Sequence, residues 1–337
     1  MRILENYSLE ALNTFGFRVN ARYFAEASSV EDLREAVHFA CQKNLPVVPL
    51  GGGSNLILSG DQEALFVHVN ICDKEVVSRG DELVRVTAGA GENWHEFVRW
   101  TLGERAFGLE NLSLIPGNVG AAPIQNIGAY GVEIKDFLHS LDALDMKSGE
   151  LKTFSLADCQ FGYRDSIFKH SARDRFIITF VEFALDAKLS PRLAYGRLQE
   201  EVEQRSEGSP DAFVISEAVC DIRMEKLPDP RVLGNAGSFF KNPVVGESLL
   251  KKLQADYPDI VAFPFEGRWK LAAGWLIDRA GLKGFRQGAV GTFNNQALVL
   301  VNHGGAVPED LLGLAQYIQD VVRDRFGVEL EMEPRVY

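Results

Sequence analysis

Three side chains in this 337-residue chain stand in company that suits chemistry. Ser238 lies in LGNAGSFFKNP (233–243), behind Gly234, Ala236 and Gly237 and ahead of two phenylalanines. Small residues let backbone or ligand approach closely, and the aromatics would shield that approach from water. Its hydroxyl is a nucleophile, a proton donor or a turn residue. No GxSxG elbow surrounds it and no histidine lies near it in sequence, so the nucleophile ranks last. Arg164, in FGYRDSIFK, is the second: a guanidinium among aromatics can fork onto a carboxylate. Its plainer alternative is a structural ion pair with Asp165 or another acid. The third is Glu333, in VELEMEPRVY, where Glu329, Glu331 and Glu333 would share one face of an alternating strand. A solvated edge is the plain reading there.

Two glycine clusters add a binding function. PLGGGSNLIL sets Gly51, Gly52, Gly53, Ser54 and Asn55 between two strand-like runs. Successive backbone N–H groups in such a turn form an anion-binding concavity. No GK[ST] follows, and no GxGxxG opens a long helix, so phosphate cradle and hairpin turn stay equally open. LSLIPGNVGAAPIQNIGAYGVEIKD (112–136) interleaves Pro116, Gly117, Gly120 and Gly128 with Asn118, Gln125 and Tyr130. Read as a long loop without secondary structure, it is a functional loop or a rigid surface one. Together the clusters suggest a large diphosphate ligand gripped by backbone. Lys226, in MEKLPDP, reads by itself as a solvated lysine.

The elements that must position these residues alternate between helix and strand. SSVEDLREAVHFACQK has a capping serine, an acidic first turn and helical apolar spacing. VVPL, ALFVHVN, LVRVTAGAG and FIITFVEFAL read as strands, and NWHEFVRWTLGERA as an amphipathic helix. Residues 199–210 read as a helix end plus loop, and DAFVISEAVCDIRMEK as helix up to Pro228. KLAAGWLIDRAGLKG is a helix with a glycine stop, and NNQALVLVN a strand. PEDLLGLAQYIQDVVRDRFG carries Pro at its start, acids first, basics last and Gly beyond. The Pro and Gly of KLPDPRVLGNAG mark the best domain boundary.

Composition narrows the class. A net charge of −12 argues against nucleic-acid binding by phosphate neutralisation. No apolar run approaches a membrane span, and the first residues carry no signal-peptide pattern. Four scattered cysteines without CxxC, and six histidines without ligand spacing, argue against a metal or a disulfide framework. A cytoplasmic monomer is the expectation.

Six blocks then occur in a fixed order: LGGGSNLIL, IPGNVGAAPIQNIGAYGVEI, FGYRDSIFK, LPDPRVLGNAGSFFKNP, AGWLIDRAGLKG and EMEPRV. From about residue 14 to the end the chain resembles the UDP-N-acetylenolpyruvoylglucosamine reductase family of bacterial peptidoglycan precursor synthesis. The resemblance implies an α+β fold. Residues 1–226 would be an FAD-binding domain of the vanillyl-alcohol-oxidase type, two α/β subdomains split near 70–75, and 227–337 an α+β substrate-binding domain. It implies non-covalent FAD, NADPH as hydride donor and UDP-N-acetylglucosamine enolpyruvate as acceptor. FAD would be held by Gly51, Gly52, Gly53, Ser54, Asn55, Pro116, Gly117, Asn118, Gly120, Ala121, Gln125, Ile127 and Gly128. Arg164, Ser238 and Glu333 fall on the family's catalytic arginine, serine and glutamate. Tyr130, Tyr195, Lys226, Asn242, Gln296 and Arg335 fall on substrate contacts, and the AYGRL tyrosine marks the subtype with an added loop over the substrate channel.

The implied reaction matches the three side chains. Hydride delivered to the vinyl ether carbon leaves negative charge on its neighbour, spreading into a carboxylate. Arg164 would fork onto that carboxylate, and Glu333 would help if protonated or paired with the arginine. Ser238, on an Ala-Gly-Ser turn, would then protonate the carbanion-like carbon, because that acceptor is basic enough for a hydroxyl. One departure stands out: the family commonly continues its C-terminal glutamate with valine, whereas Pro334 follows Glu333 here, removing a backbone donor. An oxidase on a similar scaffold and a non-catalytic UDP-sugar or flavin binder are the rival readings.

Overall fold

The computed structural model describes residues 1–206 and 208–337. The chain separates into two units: Met1–Tyr7, Asn20–Gly53 and Gln62–Arg223 form one, and Ser8–Val19, Ser54–Asp61 and Met224–Tyr337 the other. Two short segments from the N-terminal part, one of them carrying Ser54 and Asn55, thus pack with the C-terminal residues.

In the first unit, β1 (Ile3–Ser8) precedes β2 (Asn20–Ala27), α1 (Val30–Lys43) and β3 (Val47–Leu50). The short β4 (Leu56–Ile57) belongs to the second unit, and β5 (Gln62–Val69) returns to the first. Ser29 opens α1 by accepting the Asp32 N–H at 3.1 Å, and Asn44 closes it in the left-handed conformation, φ +53°. β2, β5 and β3 pair in parallel, with β1 outside β2. Leu33, Ala36 and Ala40 of α1 bury against Ala25, Leu65 and Val67 of this sheet. Alanines on the helix face let it lie close to the strands.

The chain passes to a second sheet between Val69 and Lys74. Its members are β6 (Lys74–Arg79), β7 (Leu83–Gly89) and, beyond α2 (Trp94–Gly103) and the short pair β8 (Gly128–Ala129) and β9 (Val132–Glu133), β10 (Leu138–Asp145), β11 (Leu151–Ser155) and β12 (Phe176–Asp186). The order is β11-β10-β12-β7-β6, antiparallel throughout. Trp94 of α2 meets the Phe183 ring edge to face at 6.1 Å and Phe97 packs tilted against it at 5.3 Å, which fixes the helix over the sheet. α3 (Leu198–Glu203) and α4 (Ala212–Lys226) share a smaller core of Leu198, Val202, Ile215 and Ile222. The expected helix end and loop over 199–210 includes Glu207, which lies outside the described residues.

The stretch 112–136 is not the structureless loop its composition suggests. Val119–Ile124 forms a 3₁₀ helix, and β8 and β9 make a hairpin around Tyr130 and Gly131, both left-handed at φ +49° and +80°. Pro123 and the glycines forbid a long α-helix, but short i→i+3 turns and a tight hairpin still satisfy the backbone.

In the second unit, β13 (Gly234–Ser238) is followed by β14 (Val244–Val245), α5 (Glu247–Asp256), β15 (Ala262–Phe265), β16 (Arg268–Leu271), α6 (Ala273–Arg279), β17 (Arg286–Gln287), β18 (Val290–Thr292), β19 (Val299–Asn302), α7 (Pro308–Phe326) and β20 (Arg335–Val336). The main sheet runs β13-β19-β18-β17. NNQALVLVN yields a strand only from Val299, because Asn294 to Leu298 turn. α7 has the expected ends: Pro308 first, Glu309 and Asp310 in the first turn, and Gly327 beyond at φ +65°.

A buried carboxyl gives a first testable consequence. Glu110 is 1% exposed and accepts the Gly108 N–H at 2.7 Å. Burial raises its pKa above the ordinary 4.5. The native state therefore holds this proton where the unfolded chain releases it. Stability contributed by the neutral group is complete below the unfolded value and declines as pH rises through the folded one. Glu110→Gln keeps an acceptor for Gly108 without the charge. Its melting temperature should exceed that of the parent at pH 7, and the gain should vanish towards pH 4. An advantage equal at both pH values would refute this account.

Candidate active site

The two glycine clusters come together within the first unit. A Cβ on Gly51 would lie 3.2 Å from Asn118 Oδ1, and one on Gly52 3.0 Å from that oxygen and 3.1 Å from Gly117 Cα. Side chains at either position would force the turn away from the 116–128 stretch. Gly53 is left-handed at φ +64°. This is a backbone-lined cradle with no lysine or arginine within its glycine runs, and its donors suit a diphosphate and a flat polar ring system. FAD fits it.

The 116–128 stretch is held from behind by a turn that sequence reasoning passed over as strand. Val119 and Gly120 donate backbone hydrogen bonds to Glu92 and Ala90, and Trp94 donates to Gly117. Asn118 Nδ2 donates to the Gly91 carbonyl at 2.6 Å. A Cβ on Gly120 would meet Ala90 Cβ at 2.4 Å, so only glycine allows this contact. The missed signal is the Gly-Ala-Gly run 89–91, the same type of punctuation as GGGSN.

Arg164 sits beside the end of the same stretch. Its own backbone is left-handed at φ +53°, and its Nη2 donates to the Gly128 carbonyl at 2.6 Å. Asp165 meets His170 Nε2 at 2.7 Å. Asn126, fully buried, donates to Glu133 and to the Gly162 carbonyl, both at 2.9 Å, and so ties the loop to the turn bearing Arg164. Gln125, Ala121 and Ile127 lie along this loop, which the 3₁₀ helix and the β8–β9 hairpin shape.

Tyr130 and Tyr195 meet edge to face at 6.0 Å between ring centroids. Burial raises the Tyr130 phenol above its usual range, while Tyr195 is 48% exposed. Asn111, 1% exposed, donates to the carbonyls of Tyr130 and Arg192 at 2.9 and 2.7 Å. It fixes the chain on both sides of the tyrosine pair, and nothing in its LENLS context pointed to that role.

Ser238 and Glu333 lie in the second unit, on adjoining backbone. Asn235 faces Val301 and Ser238 faces Val299, so one extra residue sits on the Ser238 strand. Ser238 therefore ends a bulged strand, with Gly237 at φ +68°, and is not part of a free turn. A bulge re-aims the side chain that follows it. The Glu333 N–H donates to the Phe239 carbonyl at 2.9 Å, Lys241 N–H donates to Glu331, and Phe240 bridges Met332. The serine and the glutamate are thus joined through residues adjacent to both.

Pro334 has a clear place in this arrangement. The expected continuous strand through VELEMEPRVY breaks there: 331–333 pair with 239–241, whereas Arg335 donates to Asn55 and β20 pairs with β4. Proline occupies the crossing point between two partners, where no donor is needed. Glu329 and Glu331 are exposed, as a solvated face demands, but Glu333 is half-buried.

The remaining substrate candidates have local roles. Asn242 Oδ1 accepts the Ala273 N–H at 2.9 Å, at the start of α6. Gln296 Oε1 lies where a Cβ on Gly274 would come within 2.7 Å of it. Arg335 stacks over the Tyr337 ring at 4.2 Å, and Lys226 is exposed at the end of α4.

Comparison with known proteins adds an identity to this geometry. Residues 21–155 match the FAD binding domain family, and residues 229–337 the UDP-N-acetylenolpyruvoylglucosamine reductase C-terminal domain. A UDP-N-acetylenolpyruvoylglucosamine reductase of Pseudomonas putida is 52% identical over 334 residues, covering 99% of this chain and 98% of the relative. The crystal structure of the Thermus caldophilus UDP-N-acetylenolpyruvylglucosamine reductase shares the fold at TM-score 0.69 and 22% identity, covering 100% of this chain and 98% of that one. A VAO-type flavoprotein from Myceliophthora thermophila shares it at TM-score 0.50 and 12% identity, over 90% of this chain and 70% of that one. The chain belongs to the UDP-N-acetylenolpyruvoylglucosamine reductase family.

Proposed function

We propose that this protein reduces the enolpyruvyl ether of UDP-N-acetylglucosamine to UDP-N-acetylmuramate, with NADPH as reductant and non-covalent FAD between them. The observation that carries the reading is the join between the Ser238 and Glu333 backbones, in a chain that also builds a glycine cradle. Binding alone would not need a bulged strand to aim a hydroxyl beside a carboxyl-bearing segment. The four cysteines are free, which fits a reducing cytoplasm, where NADPH and UDP-sugars are available.

When bound, FAD supplies the two-electron chemistry, taking hydride from NADPH and passing it to the enolpyruvyl double bond. Gly51–Asn55 and Pro116–Gly128 hold its diphosphate and ring through backbone groups. Arg164 meets the substrate carboxylate. Its bond to Gly128 fixes the guanidinium plane in advance, so stabilisation of the growing charge needs no reorganisation. Glu333 helps at that end of the substrate in its protonated form, donating to the same carboxylate, or by pairing with Arg164. Ser238 Oγ gives its proton to the carbon next to the carboxylate, and water or a nearby lysine restores it. Tyr195, Lys226, Asn242 and Gln296 bind the UDP-sugar, with Tyr130 and Arg335 nearer the reacting end. Residues 227–337 serve as the substrate domain, and 1–226 as the FAD domain apart from Ser8–Val19, Ser54–Asp61 and Met224–Lys226, which belong to the second unit.

An anaerobic spectrum tests this. The purified protein should be yellow and should bleach with stoichiometric NADPH. Colour should return with UDP-N-acetylglucosamine enolpyruvate and not with UDP-N-acetylglucosamine. Colour that returned only in air would point to an oxidase.

A further inference from the structure

Leu114 stands two residues ahead of Pro116, in the left-handed conformation at φ +57°. A residue with a Cβ adopts that conformation only when its surroundings hold it there. Both of its backbone groups are held by side chains from helices. Its N–H donates to His95 Nδ1 at 3.0 Å, and its carbonyl accepts from Arg223 Nε at 3.2 Å. His95 lies in the first turn of α2, and Arg223 near the end of α4. The same first turn grips the chain on either side of Leu114. Trp94 Nε1 donates to the Leu112 carbonyl at 2.9 Å, Trp94 N–H to Gly117 at 3.0 Å, and Asn93 bridges Asn118. Residues 112–118 are therefore stapled along the start of α2, with His95 and Arg223 closing the one strained position.

We infer that His95 is a positioning residue for the cofactor: its neutral Nδ1 holds Leu114 left-handed, and so sets the approach of Pro116–Asn118 to the flavin. The inference rests on the reading that this loop holds FAD. An imidazole accepts at Nδ1 only while that nitrogen is unprotonated. The surroundings keep it so. Burial lowers the pKa of His95 below the ordinary 6.5, and Arg99 on its own helix and Arg223 from α4 push the same way, against Glu96 beside it. The bond to Leu114 is thus intact at neutral pH. It is lost as pH falls through the lowered value, when two N–H groups would face each other.

The test uses FAD-loaded protein, diluted stepwise at pH 8 and at pH 5 while released flavin is read by its fluorescence. The parent should bind FAD more weakly at pH 5, by up to about tenfold according to how far His95 is protonated there, beyond any change shared with the variants, as expected for loss of one partly buried hydrogen bond. His95→Asn offers a carboxamide oxygen that does not titrate, so it should match the parent at pH 8 and lack the extra loss at pH 5. His95→Ala should be about tenfold weaker at both pH values. A merely structural histidine would lower the melting temperature without creating this difference in pH profile. Superposable profiles for the parent and the Asn variant would overturn the proposal, as would an Ala variant with full affinity at pH 8. If the Ala variant does not fold, the comparison of parent and Asn variant decides alone. A parent that bound no FAD at pH 8 would instead remove the flavin reading itself, and the inference with it.

Discussion

Ser238→Ala should leave reduction of the bound flavin by NADPH nearly unchanged and cut turnover of the enolpyruvyl substrate by about 10²–10⁴, the usual contribution of a positioned proton donor. The substitution removes one oxygen and little else. Alanine suits the end of β13, and the bulge is made by Gly237 at φ +68°, which stays. Strand pairing to Val299 and the Phe239–Glu333 bond are backbone interactions, so the neighbouring carboxyl should keep its place. Stopped-flow bleaching of the flavin by NADPH, followed by its reoxidation with the enolpyruvate, separates the two half-reactions. Equal loss in both would mean that Ser238 shapes the cofactor site and donates no proton. A variant with full turnover would hand the protonation step to solvent.

Arg164→Lys should lower the rate of the second half-reaction by about 10²–10³, as loss of a preorganised charge-stabilising donor does. The positive charge survives, but the planar fork and the Nη2 bond to Gly128 do not. Lysine is no more strained than arginine at φ +53°, so the change isolates the head group. The Michaelis constant for the UDP-sugar should rise with it, because the carboxylate is also bound in the ground state. Flavin retention on gel filtration should be that of the parent. Loss of flavin together with activity would place Arg164 in the architecture of the loop, through Gly128, and take away its role as a carboxylate clamp.

Much of the fold follows from local chemistry written in the chain. Ser29 and Asn44 bound α1, and Pro308 and Gly327 bound α7, because caps and breakers act within a turn of where they stand. The 2.0- and 3.6-residue periods gave β5, β7, β12, α1 and α2 for the same reason. The glycine clusters were legible as backbone-lined turns, although phosphate cradle and hairpin turn stayed equally open for GGGSN until the fold set it against Gly117 and Asn118. Family membership was legible too, because six ordered blocks constrain one another far more than any single motif.

What the sequence left open were matters of partners distant along the chain. VELEMEPRVY read as one strand, but its halves pair with different segments, 239–241 and 55–57, and periodicity carries no record of a change of partner at Pro334. That His170 reaches Asp165 was not legible either, because only the folded 3₁₀ turn after Ser166 brings that histidine to the aspartate. Asn111, Asn126, His95 and Arg223 look ordinary in sequence. Each acquires its role by reaching backbone groups that local structure cannot satisfy, in turns too irregular for ladders of their own. The sequence by itself determined the main helices and strands, the glycine turns and the three side chains that could react. Tertiary structure alone decided which backbone holds each of them, because a hydrogen bond between distant residues is fixed by packing and leaves no local pattern.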